Sequence, residues 1–470
     1  RTGPRLLFAR APRTAYSDLV PSVPLCGYRF LGLDVALDSG ERSINMRTLA
    51  VAVSLLAAAN GFCGLAHAEP RPLPSGSPEQ AGFSEEGLKR IDDFFAREIQ
   101  LNRVPGAVIG IARDGKLVQL KAYGYRDKAK NLPMEVDSIF GLASMTKPMV
   151  AVGVLSLMQE GRLPLFSPLA TYFPAFAEMK VAVSAADGSI QYEPQKRPIY
   201  IQDLLRHTSG LTYGGRPDAG GSAGSLYPTG ESLPAMKTST DFIDKVTKLP
   251  LVYQPGTVWE YSLAFDVLGA VTEKVTGKAL GGHLADVIWK PLGMTDTSFH
   301  IDAAKRDRVA HPFALNPLTG KPQKITTIEE PVNFECGGAC SIGTVPDYLR
   351  FGQMLLNGGS LDGKQVLSPA IVRLMTSNQL SPDIKNRVAQ VEPHRAGYGF
   401  GLGVAVRLED GLAAVPGSAG EYSWNGAYGT GFFADPKQRL VVVFGTAAPG
   451  DLRKYYREQV QDLVYGAMTR

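Results

Sequence analysis

The sequence predicts an α/β (α+β) fold: an antiparallel sheet flanked by helices, interrupted by a mainly helical insertion over about 145–290. Three observations predict it. A helix followed by a hairpin pattern comes early, helical patterns dominate the middle, and strand patterns closed by a helix end the chain. Ser84-Glu85-Glu86 opens the first helix, with Leu88, Ile91, Phe94, Phe95 and Ile99 on one face. Gly106–Ala112 reads as a strand, Arg113-Asp114-Gly115-Lys116 as a turn, and Leu117–Tyr125 as the returning strand. Helical patterns then run from Ser144 to Gly161, Tyr200 to Arg206, Thr240 to Thr247 and Ala264 to Thr276, joined by linkers rich in Gly and Pro. The last third returns to strands at Tyr398–Val406, Gly429–Ala434 and Leu440–Gly445, and a helix over Leu452–Met468 closes the chain. A cleft between sheet and insertion is the natural place for a site.

Of the 470 residues, 44% are hydrophobic and 20% charged, with a formal charge of +4, an ordinary globular balance with no signal for nucleic acid or another polyanion. Met46-Arg47, the apolar run Thr48–Ala59 and the small-x-small Ala66-His67-Ala68 form a signal-peptide pattern over 46–68, a retained anchor being the alternative. Residues 1–45 begin with Arg1 and show no periodicity, so they read as upstream sequence carried with the chain. The mature domain is then expected at 69–470, periplasmic or secreted, without a membrane span once the signal is cleaved. Residues 1–68 hold seven Arg and four acids, so the mature charge is +1. Cys336 and Cys340, spaced C-x3-C, are too few for a zinc site and leave a small disulfide or two buried thiols open. No metal or cofactor motif is present.

Ser144-Met145-Thr146-Lys147 carries the chemistry. A serine hydroxyl needs a neighbour to take its proton, and a three-residue helical spacing puts the lysine on its face. S-x-x-K arises by chance in a chain of this length, and a plain N-cap serine is the alternative. Ser144 is nonetheless the one serine here with a lysine three positions on, and it opens an apolar helix. Tyr261 follows the turn Pro255-Gly256-Thr257 just before the Ala264 helix, where a phenol beside an ammonium can shuttle a proton; a core aromatic is the alternative. In Trp424-Asn425-Gly426-Ala427, Gly426 would let substrate lie against a strand edge and the next N–H would point into the site; a Gly-interrupted strand is the alternative. Gly220-Gly221-Ser222-Ala223-Gly224 matches the G-x-S-x-G nucleophile elbow, but it lies in a Gly-rich loop without the strand-to-helix turn that motif needs.

The order S-x-x-K, Y-S-x after a PGT turn, and W-x-G before a C-terminal strand resembles the class C β-lactamase-related serine hydrolases, and among them the family VIII carboxylesterases. Leu204–Leu211 resembles their LLxHTSGL stretch, and Gly337–Gly359 their GGxG…D-Y-x-R-F…MLLNGG segment, so the likeness spans about residues 80–465. The resemblance implies a β-lactamase/penicillin-binding-protein-like fold and ester hydrolysis through an acyl-serine. Ser144 would be the nucleophile and Lys147 and Tyr261 the shared base. The N–H groups of Ser144 and Ala427 would form the oxyanion hole, with Trp424 and Gly426 beside the substrate. No metal or cofactor is implied, and the partner is a small-molecule ester or amide.

Two departures bear on substrate. Trp424 stands where β-lactamases carry Lys or His, and Leu263 where they usually carry Asn; both remove polar recognition of a β-lactam. The alternatives are a β-lactamase or D-amino-acid peptidase, a transacylase, and, from another class, a non-catalytic cell-wall binding protein of the same fold.

Overall fold

The computed structural model describes residues 72–184, 189–216, 221–329 and 332–470. The signal-like stretch 46–68 and the residues before it lie outside these. The first helix, α1 (Glu85–Gln100), is capped by Ser84, whose Oγ accepts from the Gly87 N–H at 3.0 Å, and Glu85 and Glu86 complement the dipole of its first turn. It is followed by the hairpin β1 (Gly106–Arg113) and β2 (Lys116–Asp127), then by the short β3 (Leu132–Pro133).

The sheet is completed from the far end of the chain by β4 (Tyr398–Phe400), β5 (Ala405–Arg407), β6 (Tyr422–Asn425), β7 (Thr430–Asp435) and β8 (Leu440–Gly445). The strand order is β4-β5-β6-β7-β8-β1-β2-β3, with every pairing antiparallel. The stretch Tyr398–Val406, expected as one strand, is two strands of a tight hairpin. Gly403, at φ +88°, takes the backbone through the left-handed region and reverses it.

The sheet is covered on both faces, which is why β1 and β8 read as unbroken apolar runs rather than alternating ones. Ala107, Ile109 and Ile111 of β1 and Leu440, Val442 and Phe444 of β8 pack with α1 and the terminal helix α6 (Leu452–Gly466). Val108, Ala112, Val441 and Val443 belong to the core on the other face, where α5 (Val345–Leu356) lies so close that a side chain at Gly110 would meet Leu349 at 2.3 Å.

Between β3 and β4 the chain builds α2 (Thr146–Gln159), α3 (Ile201–Leu205) and α4 (Ala264–Thr276). Residues 146 to 157 of α2 are all buried, so this helix is enclosed on every side. A hairpin, Lys180–Ser184 with Ile190–Pro194, also lies in this region, where the sequence carried no strand signal that we read. Among the described residues no helix is long and apolar enough to cross a membrane.

A buried polar cluster ties α6 to the sheet. Glu421 accepts from Tyr398 at 2.7 Å, from Gln461 at 3.0 Å and from Tyr465 at 3.3 Å, and lies 3.8 Å from Arg407. Tyr465 also donates to Asp435 at 2.7 Å. Burial, helped by the neighbouring Asp435 carboxylate and opposed by Tyr398, Arg407 and Tyr465, pushes the Glu421 carboxyl from 4.5 up to about 7.

The folded state therefore holds this proton between those values while the unfolded chain has released it. The stabilisation is full at low pH and is lost as pH rises toward 7. Glu421→Gln removes that dependence. The melting temperature of the variant minus that of the wild type is expected to grow by about 2–5 °C between about pH 5 and pH 8. A difference that stays flat across this range in paired thermal melts would contradict the assignment.

Candidate active site

Phe140-Gly141 pairs with Ile342-Gly343 in a two-residue ladder, and the chain then turns sharply into α2. The helix proper begins at Thr146, so Ser144 sits just before it in the single 3-10 turn Ala143–Met145. Ala143 has φ +46°, a conformation that strains an L-residue by about 1–3 kcal/mol. The surroundings impose it. The Leu142 N–H donates to Ser341 O at 2.9 Å and its carbonyl accepts from Thr430 Oγ1 at 3.1 Å. Thr146 Oγ1 bonds both Ala143 O and Ser341 Oγ at 2.7 Å.

Two groups converge on the Ser144 hydroxyl. The Tyr261 O–H donates to Ser144 Oγ at 2.6 Å, and Lys147 Nζ donates to the same oxygen at 3.3 Å. Lys147, at 1% exposure, also lies 4.6 Å from the Tyr261 ring centroid, a cation–π contact. The fold thus brings Tyr261, 117 positions away in the chain, onto the Ser144 hydroxyl beside Lys147.

Tyr213 and Asp266, which no sequence motif marks, complete the Lys147 environment together with Gly338. Its ammonium donates to the Gly338 carbonyl at 2.6 Å and to Tyr213 Oη at 3.3 Å. Tyr213 in turn donates to Asp266 Oδ2 at 3.2 Å, and the Gly338 N–H donates to Asp266 Oδ1 at 2.8 Å. Burial pushes the Asp266 carboxyl up to about 6 against the pull of Lys147 and the hydrogen bonds it accepts. Burial, then the Asp266 charge, hold the Tyr213 phenol well above its usual range, so Tyr213 remains a donor. Tyr213 lies two residues beyond the quoted Leu204–Leu211 stretch and Asp266 in the first turn of α4; neither has a spacing that marks it before folding.

That stretch has a physical role. His207 is fully buried, its ring 5.0 Å from that of Tyr261 and 5.9 Å from that of Trp259, and its carbonyl accepts from the Glu260 N–H at 2.8 Å. Burial, then the Lys147 and Arg216 charges, keep it neutral. It serves as a prop under Tyr261.

Ser144 and Tyr261 open into a cleft of about 550 Å³, with Lys147 buried behind them. Ser144, Tyr261, Trp424, Asn425 and Ala427 line it, and α6 supplies the Arg453 and Lys454 wall. The Trp424 ring stands 5.4 Å from Tyr261, backed by Arg395 at 4.6 Å, and presents an apolar wall. Leu263 is buried in the core rather than facing the cleft with a polar group.

Gly426 needs correction. The space its missing side chain leaves is not taken up by the cleft: a Cβ there would lie 2.1 Å from Thr430 Oγ1 and 2.3 Å from the Leu142 carbonyl. The glycine is required so that the β6–β7 turn can press against the strained turn that carries Ser144. Its neighbours, not Gly426 itself, face the substrate space.

The elbow match stays apart from this site. Ser222 is exposed on the short helix Gly221–Gly224, and Gly220 lies outside the described residues. His283 and His300 are engaged elsewhere, with the Gly153 carbonyl and Glu335. Among the described residues no cluster of three or more His, Cys, Asp or Glu side chains could hold a metal ion.

Comparison with known proteins gives the family. The β-lactamase family model matches residues 91–464. Protein Rv1367c of Mycobacterium tuberculosis is 35% identical over 72% of this chain and 84% of its own length. Esterase EstB of Burkholderia gladioli is 32% identical over 76% of this chain and 89% of its own. Among solved structures, EstCE1, described as a hydrolase with promiscuous acyltransferase activity, superposes with a TM-score of 0.66 at 27% identity, covering 81% of this chain and 99% of EstCE1. With strand order, the convergent Ser144 hydroxyl and matches over most of its length in accord, the chain belongs to the β-lactamase family, among the esterase-like relatives of the class C enzymes.

Proposed function

We propose that this protein hydrolyses carboxylic esters of short or medium acyl chains through an acyl-serine, with Ser144 as nucleophile and Lys147 and Tyr261 as the shared base. One observation carries it: a single hydroxyl accepts hydrogen bonds from a buried ammonium and a phenol at the floor of an open cleft. The esterase relatives support the same reaction class.

In the reactive form the Lys147–Tyr261 pair holds one proton fewer than the ammonium–phenol form. As Ser144 Oγ attacks the carbonyl carbon, its proton passes to that vacancy. The carbonyl oxygen becomes an oxyanion, received by the N–H groups of Ser144 and Ala427. Collapse breaks the C–O bond and returns the proton to the leaving alcohol oxygen. Water then attacks the acyl-serine along the same path, giving up a proton to the pair; collapse breaks the bond to Ser144 Oγ, which takes that proton back as the acid leaves. Tyr213 and Asp266 hold Lys147 in place and are positioning residues in this scheme.

An alcohol can replace water in the second half, so acyl transfer is the second activity we expect. The description of EstCE1 supports it. Trp424 in place of a cation argues for neutral esters above β-lactams. We also propose export through the 46–68 signal pattern, with 69–470 as the mature chain; a disulfide between Cys336 and Cys340 suits an oxidising compartment.

A fluorophosphonate probe should label the wild type and Ser222→Ala but not Ser144→Ala. An unlabelled wild type would favour a non-catalytic binding protein, and labelling lost in Ser222→Ala would revive the elbow. Lys147→Ala and Tyr261→Phe are each expected to lower kcat for a p-nitrophenyl ester by about a thousandfold, within the range that general acid–base catalysis contributes.

Gly426→Ala pushes the β6–β7 turn off Leu142, so kcat should fall about a hundredfold, as on loss of one oxyanion donor, while the protein stays folded. Wild-type kcat in that variant would remove this wall from the mechanism. Assayed side by side, p-nitrophenyl butyrate should turn over far faster than nitrocefin; the reverse order would make the protein a β-lactamase first.

A further inference from the structure

Cys336 and Cys340 are joined in a disulfide with Cα atoms 5.1 Å apart, and both are fully buried. They bracket Gly337, Gly338 and Ala339, and the middle residue is bonded on both sides. Its N–H donates to Asp266, and its carbonyl accepts the shortest of the three Lys147 hydrogen bonds, at 2.6 Å against 3.3 Å for the other two.

Gly337 and Gly338 have no side chains through which this peptide could be anchored. Glycine has the greatest backbone freedom to lose on ordering. Nor could a side chain be added, since a Cβ on Gly337 would lie 2.3 Å from Phe265 O and one on Gly338 2.5 Å from Asp266 Oδ2. The far end of the loop is anchored. Ser341, next to Cys340, accepts the Leu142 N–H on its carbonyl, bonds Thr146 Oγ1 through its own hydroxyl at 2.7 Å, and donates to the same oxygen from its N–H at 3.1 Å. The near end, by Cys336, is tied to that anchor by the sulfur–sulfur bond and by the Cys340 N–H to Cys336 O hydrogen bond at 3.1 Å.

We propose that the Cys336–Cys340 disulfide is a positioning element of the active site: it closes the two-glycine loop so that the Gly338 carbonyl aims the Lys147 ammonium at Ser144. The proposal rests on the Ser144–Lys147–Tyr261 reading. Without the bond the loop samples other conformations, the Lys147 nitrogen loses its shortest partner, and proton transfer slows while the cleft that binds substrate is unchanged.

The test is the Cys336→Ala/Cys340→Ala double variant of the full chain, assayed with p-nitrophenyl butyrate. We expect kcat to fall at least tenfold with KM within twofold. Val442→Ala, a cavity variant on the sheet face packed against α1 and α6, should lower the melting temperature while keeping kcat within twofold, which separates positioning from general loosening.

A second arm does not depend on the double variant folding. Wild type is treated with dithiothreitol in mild denaturant, whose two electrons and two protons convert the bond to two thiols, and is returned to buffer. It should lose kcat, and regain it on reoxidation by oxidised glutathione. A folded, disulfide-free protein, verified by mass, that turns over at the wild-type kcat overturns the proposal. Activity surviving in Ser144→Ala would instead overturn the reading beneath it.

Discussion

The Lys147 ammonium lies in the interior of the fold at 1% exposure, and its three hydrogen bonds go to Ser144, Tyr213 and Gly338. An ammonium carries three N–H donors, so these partners saturate it. Taking such a charge out of water costs several kcal/mol, which only a complete set of partners offsets. Most features near the site can be traced to that requirement. Asp266 supplies a carboxyl linked through Tyr213 and the Gly338 N–H rather than a direct salt bridge, and burial raises it to about 6. The two-glycine loop brings a carbonyl where no side chain could fit. Burial, then repulsion from Lys147 and Arg216, keeps His207 neutral beneath Tyr261.

The hydroxyl at the end of this arrangement is presented by a strained turn. Ala143 at φ +46° is held by Ser341 on one side and by Thr430 and the β6–β7 turn on the other. One of these clamps belongs to the sheet and the other to the segment before α5, so the turn persists only when both halves of the chain have come together. The strain is local, while its support is global, as expected where a fold holds a reactive group in one geometry.

Much of this architecture was legible beforehand because it rests on local rules. The Ser84 cap, the Gly106–Arg113 and Lys116–Asp127 hairpin and the Ala264–Thr276 helix follow from capping, turn chemistry and periodicity, which act over a few residues. The pair Ser144 and Lys147 was legible for the same reason, since helical spacing fixes their relation. Where local rules fell short, a long-range contact decided. Tyr398–Val406 is alternately apolar enough for one strand, yet Gly403 reverses it into two. Gly426 reads as room for substrate, yet the room is taken by the Leu142 carbonyl, 284 positions earlier in the chain.

By itself the sequence determined which side chains could do acyl-transfer chemistry, the order in which they occur and the fold class that carries them, because residue type and near-neighbour spacing are written directly in the chain. Only the tertiary structure decided that a phenol 117 positions away meets Ser144 at 2.6 Å, that Tyr213 and Asp266 stand behind Lys147, and that Cys336 and Cys340 close a loop around Gly338. These are relations between segments far apart in sequence. They are fixed by which faces of the helices and sheet are buried against one another, a property of the packed whole that no short window of residues contains.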